Sequence, residues 1–306
     1  MTSVSAQLSA IEAAGGDGTL ELPDGPTLDV TSLDKPFFPA TGHTKGDLLR
    51  YYADVSPVLL PVIADRPLVL RRYPDGVRGK SFFQQNAPAT VPAAVRVETI
   101  MSDDGEPQRR FVGGDLATLL YTVQMGAISV DPWNARVGSL ERVDHAILDL
   151  DPGAGSTFAT AIAVARLVRE TLAELGREGH LKTSGKRGLH IQLPLAGGAS
   201  EDEALALAEE VAVRVAMGRP DVATVQRSVD LRPPRTVYVD YLQNVVAKTV
   251  AAAYAVRATD LATVSTPLGW DELTDDLDPT AFTIATVPRR IERVGDLWSA
   301  AGGRSS

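Results

Sequence analysis

Two aspartates separated by one residue, Asp149 and Asp151, stand at the end of the apolar run AILDLD. Because side chains alternate between the two faces of a strand, both carboxylates point to the same face, about 7 Å apart along the chain. Neighbouring carboxylates repel each other, and a hard divalent cation with oxygen ligands would stabilise the pair. The spacing therefore indicates either a metal site or a solvated pair of acids ahead of the turn at Pro152 and Gly153.

The second candidate site is a turn rich in glycine and cations, TSGKRG at residues 183–188, and an apolar run that contains His190 follows it. Backbone N–H groups in such turns bind anions, and the hydroxyl of Ser184 and the charges of Lys186 and Arg187 add to the attraction. This combination suits a triphosphate, although the spacing is not that of a P-loop. A solvated hairpin turn is the alternative interpretation.

Asp240 is the third candidate because it is an acid within a run of strand-forming residues, YVDYL. A buried carboxylate needs a partner. Beside Asp149 and Asp151, it would complete a site for two metal ions, in which one ion activates the nucleophile and the other stabilises the leaving group. The alternative is a buried aspartate that backbone groups or an arginine satisfy.

Cations and aromatic residues are interleaved at Arg71 and Arg72 and again at Phe82 and Phe83. Stacking surfaces combined with positive charge are typical of proteins that bind unpaired bases. A core strand with exposed arginines is the alternative explanation of the same pattern.

The middle of the chain predicts the elements that position these residues. Strands are expected over residues 146–151, 189–195 and 236–242, and amphipathic helices over 157–175 and 201–217. The alternation of strand and helix predicts an α/β or α+β sheet packed by helices.

The first part of the chain predicts further helices and a less ordered start. A helix is expected from residue 44 to about Pro57, where proline interrupts the pattern, and another over 115–126. Residues 1–27 are expected to form a flexible N-terminal arm, because several glycines follow the segment SAQLSAIEAA.

The composition of the chain excludes several kinds of site and several classes of protein. The chain has 306 residues, 44% of them hydrophobic, which is ordinary for a globular protein, and it lacks cysteine, which excludes disulfides, zinc–thiolate sites and a thiol nucleophile. A net charge of −9 argues mildly against nucleic-acid binding, although residues 35–110 hold more basic than acidic side chains. The start has no signal-peptide pattern, so we expect a cytoplasmic, nucleoid-associated protein.

Taken in order, these motifs resemble the archaeo-eukaryotic primase superfamily and, within it, the polymerase domain of bacterial ligase D and its stand-alone relatives. The resemblance covers about residues 28–295 and includes the segments LDKPFFPATGHTKGDLLRYY, PLVLRRYPDGV, FFQQNAP, DPWNARV, LDLDPG, KTSGKRGLHIQLPL, VDYLQN, AYAVR and STPLGWDEL. It implies an α+β fold, in which a primase-type catalytic module with an RNA-recognition-like sheet packs against an N-terminal α/β unit. It also implies a primase-polymerase domain over residues 28–300 and a tail over 301–306.

The resemblance implies a DNA-dependent nucleotidyltransferase, a primase-polymerase that adds nucleotides, ribonucleotides by preference, at short gaps or break ends. Non-homologous end joining and excision repair are the implied settings. Asp149, Asp151 and Asp240 match the catalytic acids of the family and would hold two Mn²⁺ or Mg²⁺ ions. Two other functions stay open: a catalytically weakened protein that binds DNA ends, and a metal-dependent transferase that acts on a small acceptor.

The resemblance also implies binding residues and partners. Lys35 and Lys45 match lysines that hold the 5′-phosphate of the downstream DNA strand, and Asp131 stands where relatives carry a histidine that contacts the nucleotide. The implied partners are DNA with gaps or 5′-phosphorylated ends, NTP or dNTP, a separate DNA ligase and Ku. The residues that match nucleotide-binding positions are Ser184, Gly185, Lys186, Arg187, His190, Gln243, Arg257, Arg71, Phe82 and Phe83.

Overall fold

The computed structural model describes residues 2–23, 25–101, 105–245 and 248–299 of the chain. The α-helices within these residues are α1 Val4–Ala13, α2 Lys45–Ile63, α3 Leu116–Gln124, α4 Phe158–Glu174, α5 Glu201–Gly218 and α6 Val287–Val294. The strands are β1 Gly18–Glu21, β2 Thr27–Val30, β3 Pro36–Phe38, β4 His43–Thr44, β5 Leu68–Arg72, β6 Phe82–Gln84, β7 Val97–Met101, β8 Pro107–Phe111, β9 Asp131–Pro132, β10 Ala135–Arg136, β11 Ser139–Pro152, β12 His180–Thr183, β13 Leu189–Ala199, β14 Ala223–Thr224, β15 Val237–Asp240 and β16 Pro267–Leu268.

A mixed sheet forms the centre of the second half of the chain, with the strand order β14-β15-β11-β13-β12-β16. The strands along this order pair antiparallel except for β14 and β15, which are parallel. Leu148 and Leu150 of β11 alternate with Asp149 and belong to the core that α4 and α5 form with the sheet. The predicted α+β class is confirmed, and the sheet leaves its polar residues on the face opposite these helices.

Helix α4 shows how local sequence sets the boundaries in this unit. Its N-cap Thr157 accepts a hydrogen bond from the backbone N–H of Thr160, and the chain leaves the helix through Gly176 at a φ of +65°. A hydroxyl cap at the start and a glycine in the left-handed region at the end are the usual signals for helix termini. They agree with the helix predicted over residues 157–175.

The first half of the chain has its own core around α2 and α3, in which Tyr52, Phe37 and Phe111 are fully buried. Helix α2 continues through Pro57 to Ile63, so the helix end expected at this proline is wrong. Proline removes the N–H that would bond to the carbonyl oxygen of Ala53, but the hydroxyl of Ser56 donates to that oxygen at 2.8 Å. This side chain replaces the lost backbone bond, and the helix persists.

The N-terminal residues differ from the flexible arm expected over residues 1–27. Helix α1 packs against α2 and buries Leu8 completely, and the hairpin of β1 and β2 buries Leu20. Gly15 and Gly16, both at positive φ, reverse the chain between α1 and the hairpin instead of leaving it loose. The tail expected over 301–306 lies outside the described residues. Among the described helices, none is both long and apolar enough to cross a membrane.

Candidate active site

Three aspartates lie on one face of two neighbouring strands of the central sheet. In the antiparallel pairing of β11 and β15, Asp149 lies directly opposite Asp240, and Asp151 lies opposite Tyr238. Opposed residues in such a pair place their side chains on the same face, a few ångströms apart. The structure therefore brings together the three acids that the sequence analysis selected.

The electrostatics of this cluster are unfavourable for three ionised acids. The side chain of Asp149 is 19% exposed, and burial together with the charges of Asp151 and Asp240 raises its pKa to about 7. The positive charges of Lys182 and Arg257 oppose this rise. A carboxyl group that keeps its proton near neutral pH can exchange it for a cation.

Hydrogen bonds hold the carboxylate of Asp240 in place. Its Oδ1 accepts from the backbone N–H of Leu242 at 2.8 Å and from the hydroxyl of Tyr238 at 3.2 Å. Its Oδ2 accepts from Nε2 of Gln243 at 2.8 Å. Gln243 thus lies at the acid cluster and contacts one of its members directly.

Asn244 joins the turn after β15 to strand β11. Its side chain is buried, accepts from the backbone N–H of Ile147 at 2.7 Å and donates to the carbonyl oxygens of Ile147 and Tyr241 at 2.7 and 2.6 Å. These bonds continue the pairing of β11 beyond the end of β15. They hold Asp240 in register with Asp149, a role that motif matching did not assign.

The donor set fits a hard divalent cation in its chemistry. Carboxylate oxygens are the ligands that Mg²⁺ and Mn²⁺ prefer, and a cation would relieve the repulsion that raises the pKa of Asp149. Among the described residues, however, no three Asp, Glu, His or Cys side chains are close enough together to form a group that could hold a metal ion.

His190 and Lys182 extend the acid pair into a row across the sheet. His190 on β13 lies opposite both Asp149 on β11 and Lys182 on β12. Its Nε2 is 3.4 Å from Oδ1 of Asp149, and its Nδ1 is 2.5 Å from Nζ of Lys182. Burial and the positive charges of Lys182 and Arg257 lower the pKa of His190 well below its usual value.

Lys182 is a buried cation that the sequence analysis missed. Burial and the charge of Arg257 lower its pKa, whereas the charges of Asp149 and Asp131 raise it. Its only sequence signal is a lysine inside the strand HLKT, between two residues that prove to be buried. Such a signal does not indicate which group the ammonium contacts.

The glycine turn at residues 183–188 joins β12 to β13, the strands that carry Lys182 and His190. The Ser184 hydroxyl oxygen accepts from the backbone N–H groups of Lys186 and Gly188, so this buried serine shapes the turn. Gly185 has a φ of +69°, and a Cβ there would lie 2.4 Å from Cγ of Arg257. The side chains of Lys186 and Arg187 are exposed and available to an anion.

Arg257 lies between the turn and Asp131. Its NH1 is 4.0 Å from Oδ1 of Asp131, and the two side chains are about equally buried. The hydroxyl of Ser129 donates to the same oxygen at 2.5 Å. The negative charge of Asp131 also raises the pKa of Lys186, against the lowering effect of burial and Arg257. Asp131 is therefore an acid within a cluster of cations.

The predicted stacking residues form two exposed arginine–phenylalanine pairs, one on each face of the ribbon of β5 and β6. In the pairing of β5 with β6, Arg71 is opposite Phe83 and Arg72 is opposite Phe82. The guanidinium of Arg71 lies 5.5 Å from the ring centre of Phe83, and that of Arg72 lies 5.2 Å from that of Phe82. The two rings are 47% and 65% exposed, for Phe82 and Phe83. The charge of Arg71 lowers the pKa of Lys186. Arg71 is therefore close enough to the glycine turn for the two charges to interact.

Lys35 and Lys45 form a second cationic site at the start of α2. The backbone N–H of Lys45 donates to the carbonyl oxygen of Lys35 at 2.9 Å, and Nζ of Lys45 donates to the carbonyl oxygen of Thr31 at 2.9 Å. Burial and the charge of Lys35 lower the pKa of Lys45 to about 8. Lys35 forms a more exposed ion pair of 2.7 Å with Asp75.

A cavity of about 910 Å³ lies along the same sheet but away from the acids. Arg66, Asp144, His145 and Lys182 are among its lining residues, whereas Asp149, Asp151 and Asp240 are not. Lys182 lines this cavity and also contacts His190, which lies beside Asp149.

Comparison with known proteins gives one consistent result. A family model described as "LigD, primase-polymerase domain" matches residues 44–298. The chain is 36% identical over 279 residues to the multifunctional non-homologous end joining DNA repair protein LigD of Mycobacterium tuberculosis. This match covers 88% of this chain and 36% of that protein. It is 32% identical over 274 residues to the bifunctional non-homologous end joining protein LigD of Bacillus subtilis, covering 89% of this chain and 44% of that protein.

A solved structure supports the same relationship. The polymerase domain from Mycobacterium tuberculosis ligase D, in complex with DNA, matches with a TM-score of 0.84 and 33% sequence identity. The match covers 89% of this chain and 97% of that one. The chain spans less than half the length of the two curated relatives named above, but nearly all of this solved domain.

Proposed function

Because the chain belongs to the family of LigD primase-polymerase domains, which are polymerase-type nucleotidyltransferases, we propose that it adds nucleotides to a DNA strand under the direction of a template. The observation that carries the proposal is the register of β11 against β15, which sets Asp149 opposite Asp240 and beside Asp151. Three carboxylates on one face, next to a cationic glycine turn, are the groups that transfer of a nucleotide from a triphosphate requires.

The proposed cofactors are two Mn²⁺ or Mg²⁺ ions, held by Asp149, Asp151 and Asp240. When bound, such ions lower the charge on the reacting phosphate and favour attack by the 3′-hydroxyl on the α-phosphate. The protein's part is to hold the carboxylates in place. Gln243 and the backbone of Leu242 fix the oxygens of Asp240.

The nucleotide is proposed to lie between the glycine turn and the exposed arginine–phenylalanine pairs. Lys186, Arg187 and Arg257 would neutralise the triphosphate, because two of these cations are exposed and the third lies against Gly185. Ser184 and Gly185 would act by shaping the turn, and His190 by facing the acids. Phe83, exposed beside Arg71, and Phe82, exposed beside Arg72, offer stacking surfaces for a nucleobase.

DNA is the proposed second substrate, and Lys35 and Lys45 the proposed site for its downstream 5′-phosphate. The solved polymerase domain that this chain resembles is described as a complex with DNA. Because the chain carries a net charge of −9, we expect binding to depend on few phosphate contacts. The affinity should then fall only weakly with salt, in proportion to the few counterions released.

The biological setting is proposed from the relatives. The relatives are named for non-homologous end joining, so we propose that this chain fills short gaps or break ends in that pathway or in excision repair. A separate DNA ligase and Ku are the proposed partners. A preference for ribonucleotides is proposed on the family resemblance.

Extension of a primer across a one-nucleotide gap tests the proposal. The gapped substrate carries each of the four template bases in turn, with either a 5′-phosphate or a 5′-hydroxyl on the downstream strand. Each substrate is offered the four ribonucleotides and the four deoxynucleotides separately, in Mn²⁺ or in Mg²⁺. Addition that follows the template base supports the proposal. Addition without a template would favour a transferase for a small acceptor, and tight end binding without addition would favour a weakened DNA-end binder; either outcome contradicts it.

A further inference from the structure

The side-chain hydroxyl of Tyr52, on helix α2, joins two segments of the chain that are distant in sequence. The residue is fully buried. Its hydroxyl donates to the carbonyl oxygen of Ile128 at 2.6 Å and accepts from the backbone N–H of Val256 at 3.0 Å. A carbonyl oxygen can only accept and an amide N–H can only donate, so the direction of both bonds is fixed.

The two joined segments form a short antiparallel ladder, which ends before it reaches these groups. Within the ladder, the backbone N–H of Ala252 donates directly to the carbonyl oxygen of Val130 at 3.0 Å. Tyr254 then has a φ of +68°, in the left-handed region, and a regular strand does not continue through this conformation. Beyond this point, the hydroxyl of Tyr52 connects the two backbones in place of a direct bond.

The second segment is also fixed on its other side. Residues 254–257 pair there with residues 263–265, and the backbone N–H of Arg257 donates into that pairing. Successive N–H groups of a strand point to opposite sides, so the N–H of Val256 faces away from this neighbour and toward Tyr52. The hydroxyl supplies the partner that this buried N–H requires.

Each of the two joined backbone groups lies close in the chain to a charge of the candidate site. Asp131 comes three residues after Ile128, and Arg257 directly follows Val256. NH1 of Arg257 is 4.0 Å from Oδ1 of Asp131. Cγ of Arg257 lies so close to Gly185 that a Cβ there would be 2.4 Å away. A small movement of either segment would therefore change the place of the guanidinium relative to both neighbours.

We propose that Tyr52 is a positioning residue, whose hydroxyl sets the spacing between the segments of Asp131 and Arg257 and thereby holds the guanidinium of Arg257 beside the glycine turn. The effect on nucleotide binding rests on the function proposed above. The positioning itself does not, because it follows from hydrogen bonds within the chain. Tyr52 belongs to the core of the first half of the chain, so its hydroxyl links that core to the nucleotide site.

Amide hydrogen exchange of the full-length protein without nucleotide tests the bridge. In Tyr52→Phe, the amide of Val256 should exchange at least about tenfold faster than in the wild type, whereas that of Ala252, which keeps its bond to Val130, should change by less than about threefold. An unchanged rate at Val256 overturns the proposal. If Tyr52→Phe does not fold, 3-fluorotyrosine at position 52, whose hydroxyl is a weaker acceptor, takes its place and should shift the same amide in the same direction.

Nucleotide kinetics on the gapped duplex separate positioning from a merely structural role. Tyr52→Phe should raise KM for the nucleotide by about tenfold, because Arg257 is held less well against the triphosphate, and change kcat by less than about twofold. Tyr254→Phe is the matched control. It also removes the hydroxyl of a buried tyrosine, but this hydroxyl donates to Asp296 at 2.6 Å, so KM should stay unchanged. A rise in KM for both variants, or for neither, overturns the positioning role.

Arg257→Met shows whether the effect passes through the guanidinium. In that background, Tyr52→Phe should raise KM by less than about twofold more, since the group that it positions is already absent. Two independent effects that multiply contradict the proposal. If the wild-type protein adds no nucleotide, the proposed function fails, and a crystal structure of Tyr52→Phe decides on the positioning alone. A separation of Arg257 and Asp131 that stays at 4.0 Å would then overturn it.

Discussion

Asp149 and Asp240 lie directly opposite each other on neighbouring antiparallel strands, β11 and β15. Asp151 follows on the same face, so the chain concentrates negative charge where burial makes it costly. A fold gains nothing in stability from this arrangement. The proposed cation among the three acids would explain the arrangement, and this proposal leads to measurable effects.

Asp149 should make the metal-free protein less stable as the pH rises. Its pKa is about 7 in the folded protein and 3.8 in an unfolded chain, so between these values the folded state binds more protons. The contribution of Asp149 to the free energy of unfolding therefore falls between about pH 4 and about pH 7 and is constant at higher pH. Asp149→Asn should remove this fall and raise the free energy of unfolding at pH 8 by about 1–3 kcal/mol.

Urea unfolding in the presence of EDTA, at pH 5 and pH 8, checks this effect. Asp230→Asn, at an exposed acid, is the matched control and should change neither value. Added Mn²⁺ should stabilise the wild type at pH 8 and stabilise Asp149→Asn much less, because a ligand that binds the folded state raises its stability. Equal stabilisation of both proteins would show that the cation binds elsewhere.

The Asn244→Ala variant should have both a lower free energy of unfolding and a lower affinity for the metal ion. The substitution leaves the buried N–H and C=O of Ile147 without their partner, at a cost of about 2–3 kcal/mol. It also frees the turn that follows Asp240, so the Mn²⁺ concentration needed for half-maximal stabilisation should rise. The exposed Asn86→Ala is the control, expected within about 0.5 kcal/mol of wild type. A normal metal response in a destabilised Asn244→Ala would separate the two roles.

Asp131→Asn should bind nucleotide more tightly. The carboxylate of Asp131 is 4.0 Å from Arg257 and attracts the cations proposed for the triphosphate. Without it, KM for the nucleotide should fall by about two- to fivefold, the range expected for a modest ion pair. Steady-state kinetics with ATP and dATP check this, with Asp260→Asn as the exposed control. An unchanged or higher KM would mean that Asp131 assists binding.

Preference for a 5′-phosphate should decline in mildly alkaline solution. Lys45 has a pKa of about 8, so its ammonium is lost as the pH rises beyond that value. The phosphate keeps its charge in this range, and the ratio of affinities for phosphorylated and unphosphorylated ends should fall by at most tenfold per pH unit. Lys45→Met should show a small ratio that is independent of pH. Fluorescence anisotropy with the two duplexes from pH 7 to 9 provides the comparison.

Much of the site was predictable because its residues are local in sequence. The alternation of side chains on a strand places Asp149 and Asp151 on one face, and the hydroxyl and glycine signals locate α4. These features need only a few neighbouring residues. The order of short patterns likewise predicts an α/β or α+β sheet, and the family resemblance implies the α+β class.

Other features depend on which strands pair, and sequence patterns alone do not determine that. The register of β11 against β15 sets Asp240 opposite Asp149, and the pairing of β12 with β13 sets Lys182 opposite His190. The sequence predicts a flexible arm where helix α1 forms, because Leu8 packs in the core around α2, which is distant in the sequence. Tertiary contacts decide such cases after local propensity has left them open.

The central claim is that carboxylates from β11 and β15 together form the catalytic centre. Single-turnover nucleotide addition on a gapped duplex with a downstream 5′-phosphate tests it most directly, with wild type, Asp149→Ala, Asp240→Ala and the exposed control Asp230→Ala. We predict templated addition by the wild type and the control, and a fall of at least about a thousandfold in both other variants, since residues that act as a unit fail together. Addition by either variant at a rate near that of the wild type would contradict the claim.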